Sequence, residues 1–486
     1  MTTAPASPQT EQKPKGAVDR FFEITQRGSS FGAEIRGGVV TFVTMAYIVI
    51  LNPIILSSGT DVAGNSLDFA QLSAVTGLTA AVMTILFGLV AKLPFGFAAG
   101  LGINAFLAFS VVGEVTWPEA MGLVIINGLI IVLLSATGLR RMIFDAVPMQ
   151  LKIAITVGIG LFIAFIGFVN AGFVTATKSD SPPVGLGVGG SVATVPTLIF
   201  VLTLLLTAIL VAKKVKGGIL IGLVTGTVVA VVVEAIWHLG PKVAGDEVNP
   251  GGWGLTVPSL PSQWVAVPDL SLIGQFDPIG AFGRIGAVAA LMLVFTLVFT
   301  NFFDAMGTMT GLAKEADLAD EKGDFPRLKS ALIVEGVGAV VGGATSGSSN
   351  TVFIESGAGI GEGARTGFAN LVTGALFLIA IFFTPLVSIV PTEVAAAALV
   401  IVGALMMSQI RFIDLTDFSA LFPVFLTVTV MPMTYSIANG IGAGFIAWVL
   451  ARAFSGKARE ISPLLWIVTA GFVVYFARGP IEALLG

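Results

Sequence analysis

The chain has 486 residues, 55% of them hydrophobic and 11% charged, with a net charge of −4 at neutral pH. A soluble domain carries about 25% charged residues, so this composition reads as a polytopic α-helical membrane protein. There is no cysteine and one histidine. That excludes disulfides, thiolate metal ligands and a multi-histidine metal centre, and no cofactor is called for.

Residues 1–16, rich in Pro, Thr and Gln, read as disordered. Val18–Arg36 mixes Phe21, Phe22 and Ile24 with Arg20, Arg27 and Arg36, which predicts an interfacial helix at the cytoplasmic face. Glu34 and Arg36 read as solvated charges. No signal peptide is read, because the first apolar run begins near Gly37, behind this charged segment.

Runs near the ~20 residues needed to cross a bilayer then recur. Seven are predicted at 37–56, 70–92, 95–112, 118–138, 148–170, 195–212 and 217–238. A polar loop rich in Pro and Gly covers 239–279. Seven more follow at 281–312, 327–344, 348–362, 366–390, 394–410, 419–434 and 437–455, and a final apolar segment at 463–477 is left open between crossing and lying in the surface. With the N-terminus inside, nearly all connecting Lys and Arg fall on the cytoplasmic side, including Arg140, Arg141 and Lys322. Only Lys178, Lys242, Arg284 and, if the last segment crosses, Arg478 fall outside, as the positive-inside rule requires. His238, at a span end beside Trp237, reads as interfacial.

An odd number of spans per half inverts the second copy. Two likenesses support such a repeat. KGGILIGLVTGTVVAVVV (216–233) resembles ANGIGAGFIAWVLARAF (438–454), and the third and tenth spans are both short and Gly-interrupted. They carry FGFAAGLGINAFLAF (95–109) and TVFIESGAGIG (351–361), and Asn104 and Glu355 are placed at equivalent points of the two. Short, broken segments at matching places in two halves point to a transporter site.

Glu355 is the leading candidate, because a carboxylate at membrane depth defaults to function; the alternative is an acid satisfied by neighbouring Ser and backbone groups. The start of a half-helix behind it is expected to offer free N–H groups of Ser356 and Gly357 to a ligand. Asp304 lies in TLVFTNFFDAMGTMTGL (296–312) with Asn301 and Thr308 on its helical face, and Gly307 and Gly311 are expected to admit another backbone. Its alternative is a polar contact between spans. Asn104, in GLGINAF, offers a donor and an acceptor to a ring edge, or else caps a helix. Glu335, in ALIVEGVGAVVGG (331–343), either pairs with another span or relays protons. Phe95, Phe97, Phe106, Phe302, Phe303 and Phe353 flank these segments; most read as packing, one or two as a stacking surface for a flat ring.

With these residues assembled, the chain resembles the AzgA-like adenine/guanine/hypoxanthine permeases of the nucleobase/ascorbate and uracil permease group. The stretches that carry the resemblance are TFVTMAYIVILNP (41–53), GLGINAFLAFSVV (100–112), TNFFDAMGT (300–308) and ESGAGIGEGARTG (355–367). The resemblance implies a seven-plus-seven inverted repeat with short β-strands in the third and tenth spans. It implies a cytoplasmic N-terminal segment (1–36), a core domain (37–138 and 280–390) and a gate domain (139–238 and 391–486, with the C-terminal segment), plus the extracellular loop at 239–279. It further implies a purine site of Asn104, Asp304 and Glu355, with Gly102, Ala105, Thr308, Phe353 and Ser356 around it. Proton coupling through Asp304, Glu355 and Glu335, an elevator-type movement and a homodimer through the gate domain in the plasma or inner membrane complete the expectation. Partners are then a purine base, a proton and the bilayer, with no nucleic acid. Three other readings compete. The same fold carrying a pyrimidine, xanthine, urate or an anion is opposed, for the anion, by the acidic site. A channel would want a continuous polar pore, and a membrane enzyme would want a metal set or a Ser–His pair.

Overall fold

The computed structural model describes residues 16–138, 146–177, 181–192, 194–244, 247–320, 325–414 and 416–485, with side chains up to 477. Residues 1–15, Arg140, Arg141, Lys178, Lys322 and the Arg478 side chain lie outside the described residues.

Every expected span is present. Ten helices among the described residues are long and apolar enough to cross a membrane. They are Phe31–Ser57, Phe69–Val90, Trp117–Thr137, Met149–Asn170, Val195–Ala212, Gly218–Trp237, Ala287–Glu315, Phe368–Val387, Thr392–Phe412 and Ile437–Phe454. Leu328–Ala344 and Phe418–Thr434 supply the ninth and thirteenth spans, and the third and tenth are the interrupted pair. The open segment at 463–477 belongs to a helix, Pro463–Leu485, packed along the fourteenth and eighth spans.

The expected interfacial helix over Val18–Arg36 is two elements. A short helix, Ala17–Phe22, ends at Glu23 in the left-handed region, and the first span already begins at Phe31, capped by the Ser30 hydroxyl. Glu34 therefore belongs to the span, and it is not solvated. It is 0% exposed, accepting from the backbone N–H of Arg365 at 2.9 Å and of Ala369 at 3.2 Å. The start of the eleventh span leaves unpaired N–H groups, and Glu34 satisfies them from a neighbouring helix. Arg36 is exposed, as expected.

The first span carries Pro53, whose ring cannot donate and crowds the carbonyl four residues back. That carbonyl, of Val49, is taken by the Ser73 hydroxyl at 3.0 Å. The adjacent Asn52 donates to Thr76 and to the Gly347 carbonyl oxygen, tying the first span to the second and to the approach of the tenth.

Packing divides the helices into two sets. The first four spans pack with the eighth to eleventh, and the fifth to seventh with the twelfth to fourteenth. Within the first set two crossings repeat each other. The fourth and ninth spans meet at Gly128 and Gly336, where a Cβ on either would lie 2.6 or 2.8 Å from the other's carbonyl oxygen. The second and eleventh meet at Gly88 and Gly367, a Cβ on Gly88 lying 2.5 Å from the Gly367 carbonyl oxygen. Fourth with ninth and eleventh with second are the same pair under a seven-plus-seven inversion, so the glycines sit where the inverted repeat brings backbones together.

At the centre, Phe97–Ala99 and Asn350–Val352 form an antiparallel pair, with Phe97 opposite Val352, Ala98 opposite Thr351 and Ala99 opposite Asn350. Gly100 N–H donates to the Ser349 carbonyl oxygen at 2.9 Å and Phe353 N–H to that of Gly96 at 3.0 Å, extending the ladder at both ends. Two strands alone leave outer edges unpaired, which a membrane interior does not tolerate. The edge at Phe97 is satisfied by Thr84 of the second span. The other strand packs on the ninth span, which carries Glu335.

Candidate functional site

Each strand leads into a half-helix, Leu101–Phe106 on one side and Ser356–Gly361 on the other, and both half-helices pack against the eighth span. Three of the expected site residues therefore sit on three contiguous elements. Asp304 lies within electrostatic reach of Glu355, and Glu335 within that of Asp304. Asp304 and Glu355 are half-buried.

Asn104 is 0% exposed, and neither its amide nitrogen nor its amide oxygen has a partner. An unpaired buried amide costs roughly 1–3 kcal/mol per group; Asn127 and Asn350 are unpaired in the same way, and Asn104 does not cap a helix. It is not, however, the counterpart of Glu355. Counted from the strand centres Ala98 and Thr351, Glu355 corresponds to Gly102 and Asn104 to Gly357. Glu355 precedes its half-helix, whereas Asn104 lies inside its own.

The free N–H groups expected at Ser356 and Gly357 are occupied. A turn between strand and half-helix sends them to the carbonyl oxygens of Phe353 at 3.1 Å and Ile354 at 3.0 Å. The Ser356 hydroxyl is likewise engaged, accepting from Gly96 N–H at 2.9 Å and donating to the Phe353 carbonyl oxygen at 2.7 Å. Gly102 admits Ile159 of the fifth span, whose Cγ2 would be 2.8 Å from a Cβ there. Ala105 and Phe353 are buried among apolar neighbours, and Thr308 is half-buried one turn beyond Asp304.

Gly307 and Gly311 were expected to let another backbone approach; instead both face open space, because the eighth span makes its contacts on other faces. Asn301 donates to the Ser349 hydroxyl at 3.0 Å, fastening the eighth span to the second strand. Glu335 is 0% exposed beside Thr351, Val352 and Asp304, with no hydrogen bond of ordinary geometry to either carboxyl oxygen. Phe95 and Phe97 pack on Phe87, and Phe303 carries the Lys152 ammonium over its ring at 5.2 Å.

One site residue escaped the sequence reading. Tyr47, 1% exposed on the first span, donates its hydroxyl to Glu355 Oε1. A lone aromatic in an apolar run looks like packing; the only signal was the polar hydroxyl at membrane depth.

Ten helices long and apolar enough to cross a membrane, with two interrupted spans paired at the centre, define a multi-pass membrane protein. Residues 32–443 match the Xan_ur_permease family, described as a permease family, and the chain belongs to it. It is 37% identical over 469 residues to the guanine/hypoxanthine permease PbuG of Bacillus subtilis, covering 94% of this chain and 98% of the relative. It is 35% identical over 467 residues to the adenine permease AdeP of Escherichia coli, covering 96% and 97%. These relatives are permeases, not enzymes. Among solved structures, the transmembrane domain of the cyanobacterial bicarbonate transporter BicA superposes with a TM-score of 0.56 at 14% identity, covering 86% of this chain and 96% of that one. SLC26A9 does so with a TM-score of 0.58 at 12% identity, covering 91% and 67%. Both share the seven-plus-seven fold.

Proposed function

We propose that this protein takes up purine bases together with protons, with Asn104, Asp304 and Glu355 holding the base. The observation that supports the reading best is the unpartnered Asn104 amide on a half-helix that packs against the eighth span, which carries Asp304 and packs in turn against the half-helix that Glu355 precedes. Purines present alternating ring N and N–H groups, which an amide and a carboxylate match as donor, acceptor and acceptor. Relatives named as guanine/hypoxanthine and adenine permeases, similar over nearly the whole chain, support the same cargo.

Two carboxyls close together cannot both ionise cheaply, so one takes a proton before the base binds. With the first four and the eighth to eleventh spans as a core that carries the site, and the other six as a gate, the loaded core slides past the gate and releases base and proton inward. Glu335 extends the acid chain behind Asp304. The gate is the surface for a homodimer in the plasma or inner membrane, with the N-terminus cytoplasmic. The solved neighbours are a bicarbonate transporter and an anion transporter. In this chain two carboxyls at the site would repel an anion.

The test is uptake of labelled adenine, guanine and hypoxanthine by proteoliposomes with and without an inward acid gradient. Uptake that rises with the gradient supports coupling, and indifference to it removes coupling from the account.

A further inference from the structure

We propose that Tyr47 is a positioning residue for the site, its hydroxyl holding the Glu355 carboxylate in the orientation that receives the ligand. The proposal rests on the reading of Glu355 as a ligand-binding group.

Glu355 needs an outside hold. It follows a turn and precedes a six-residue half-helix, SGAGIG, whose glycines give little side-chain packing, and the adjacent Ile354 is 57% exposed. The hold comes from one turn of the first span. Tyr47 donates to carboxyl oxygen Oε1; the Thr44 hydroxyl lies 3.3 Å from the Glu355 backbone carbonyl oxygen, with the Val40 and Thr41 carbonyl oxygens nearer at 2.9 and 3.0 Å. The span tightens there: Ala46 and Tyr47 form a turn between Met45 and Ile48, and the amides of Ile50 and Leu51 both donate to the Tyr47 carbonyl oxygen. Tyr47 cannot swing away freely, being 1% exposed within the main apolar core.

A carboxylate has about four acceptor sites. The phenol occupies one of them, on Oε1, and leaves Oε2 for a base. Charged groups near it among the described residues include Asp304 of the eighth span, with Glu335 behind it, and Glu315 at the end of that span, whose Oε2 would be 2.6 Å from a Cβ at Gly357. Asp304 could donate only while it carries the shared proton; the hydrogen bond that the structure shows on the Glu355 carboxyl is the one from the phenol, which holds its direction in either state of Asp304. Fixing a binding group in advance lowers the ordering cost of binding.

The test has a ligand-free arm and an uptake arm. The carboxyl infrared band of Glu355 is assigned by its loss in Glu355→Gln, then read in ligand-free Tyr47→Phe. It is read again with 3-fluorotyrosine, a stronger donor of nearly the same shape, placed at position 47. The band is expected to shift in Tyr47→Phe and to shift the opposite way with the fluorinated ring. In uptake, KM for the purine is expected to rise roughly tenfold in Tyr47→Phe with the maximal rate little changed, the size of one lost hydrogen bond to a charged group. A band that stays in place in either protein overturns the proposal, and so does an unchanged KM in a folded Tyr47→Phe. If Tyr47→Phe does not fold, the fluorinated protein decides by its band. Because the band is read without ligand, wild-type protein that takes up no purine would sink the purine reading while leaving this one decided.

Discussion

Thr84 and Phe97 are bound twice: the Thr84 hydroxyl accepts from the Phe97 N–H at 2.9 Å and donates to the Phe97 carbonyl oxygen at 3.0 Å. One side chain thus stands in for the neighbouring strand that the central pair lacks. Thr84→Val keeps the shape and removes both bonds, orphaning two buried backbone groups at about 1–3 kcal/mol each. We predict a clear fall in the midpoint of thermal unfolding in detergent for Thr84→Val, and near-wild-type stability for Thr84→Ser.

Gly336 and Gly128 predict a second effect. A Cβ at Gly336 would lie 2.7 Å from the Val132 backbone nitrogen and 2.8 Å from the Gly128 carbonyl oxygen. Both are backbone atoms of one helix and cannot yield singly. Gly336→Ala is therefore expected to cost about 1–3 kcal/mol through overpacking, read by the same unfolding midpoint. Gly307→Ala, facing open space, is expected to leave that midpoint unchanged.

Glu34 supplies a third. Glu34→Ala uncovers the N–H groups of Arg365 and Ala369 and is expected to destabilise by about 1–3 kcal/mol. Glu34→Gln retains an acceptor oxygen for one of them and is expected to fall between Glu34→Ala and wild type in the same assay.

The spans were legible because hydrocarbon thickness demands apolar runs of a set length, and the two interruptions were legible because glycine clusters inside such runs have few other uses. Asp304 and Glu355 were legible as candidates for a related reason, since they stand out in an apolar sequence. What pairing does to a residue was not legible. Glu34 read as solvated because it lies near a span end, and only the fold brings the eleventh span's start over it. The N–H groups of Ser356 and Gly357 read as free because the turn that consumes them depends on strand register. The strands likewise moved the counterpart of Glu355 from Asn104 to Gly102, through residues that glycine spacing alone does not align.

The central claim is tested most directly by equilibrium binding of labelled hypoxanthine and adenine to purified wild-type protein, Asp304→Asn and Glu355→Gln. The account predicts saturable purine binding to the wild type, weakened at least roughly tenfold in each variant by the loss of a charged acceptor or its neighbour. Near-wild-type affinity in both folded variants would contradict it.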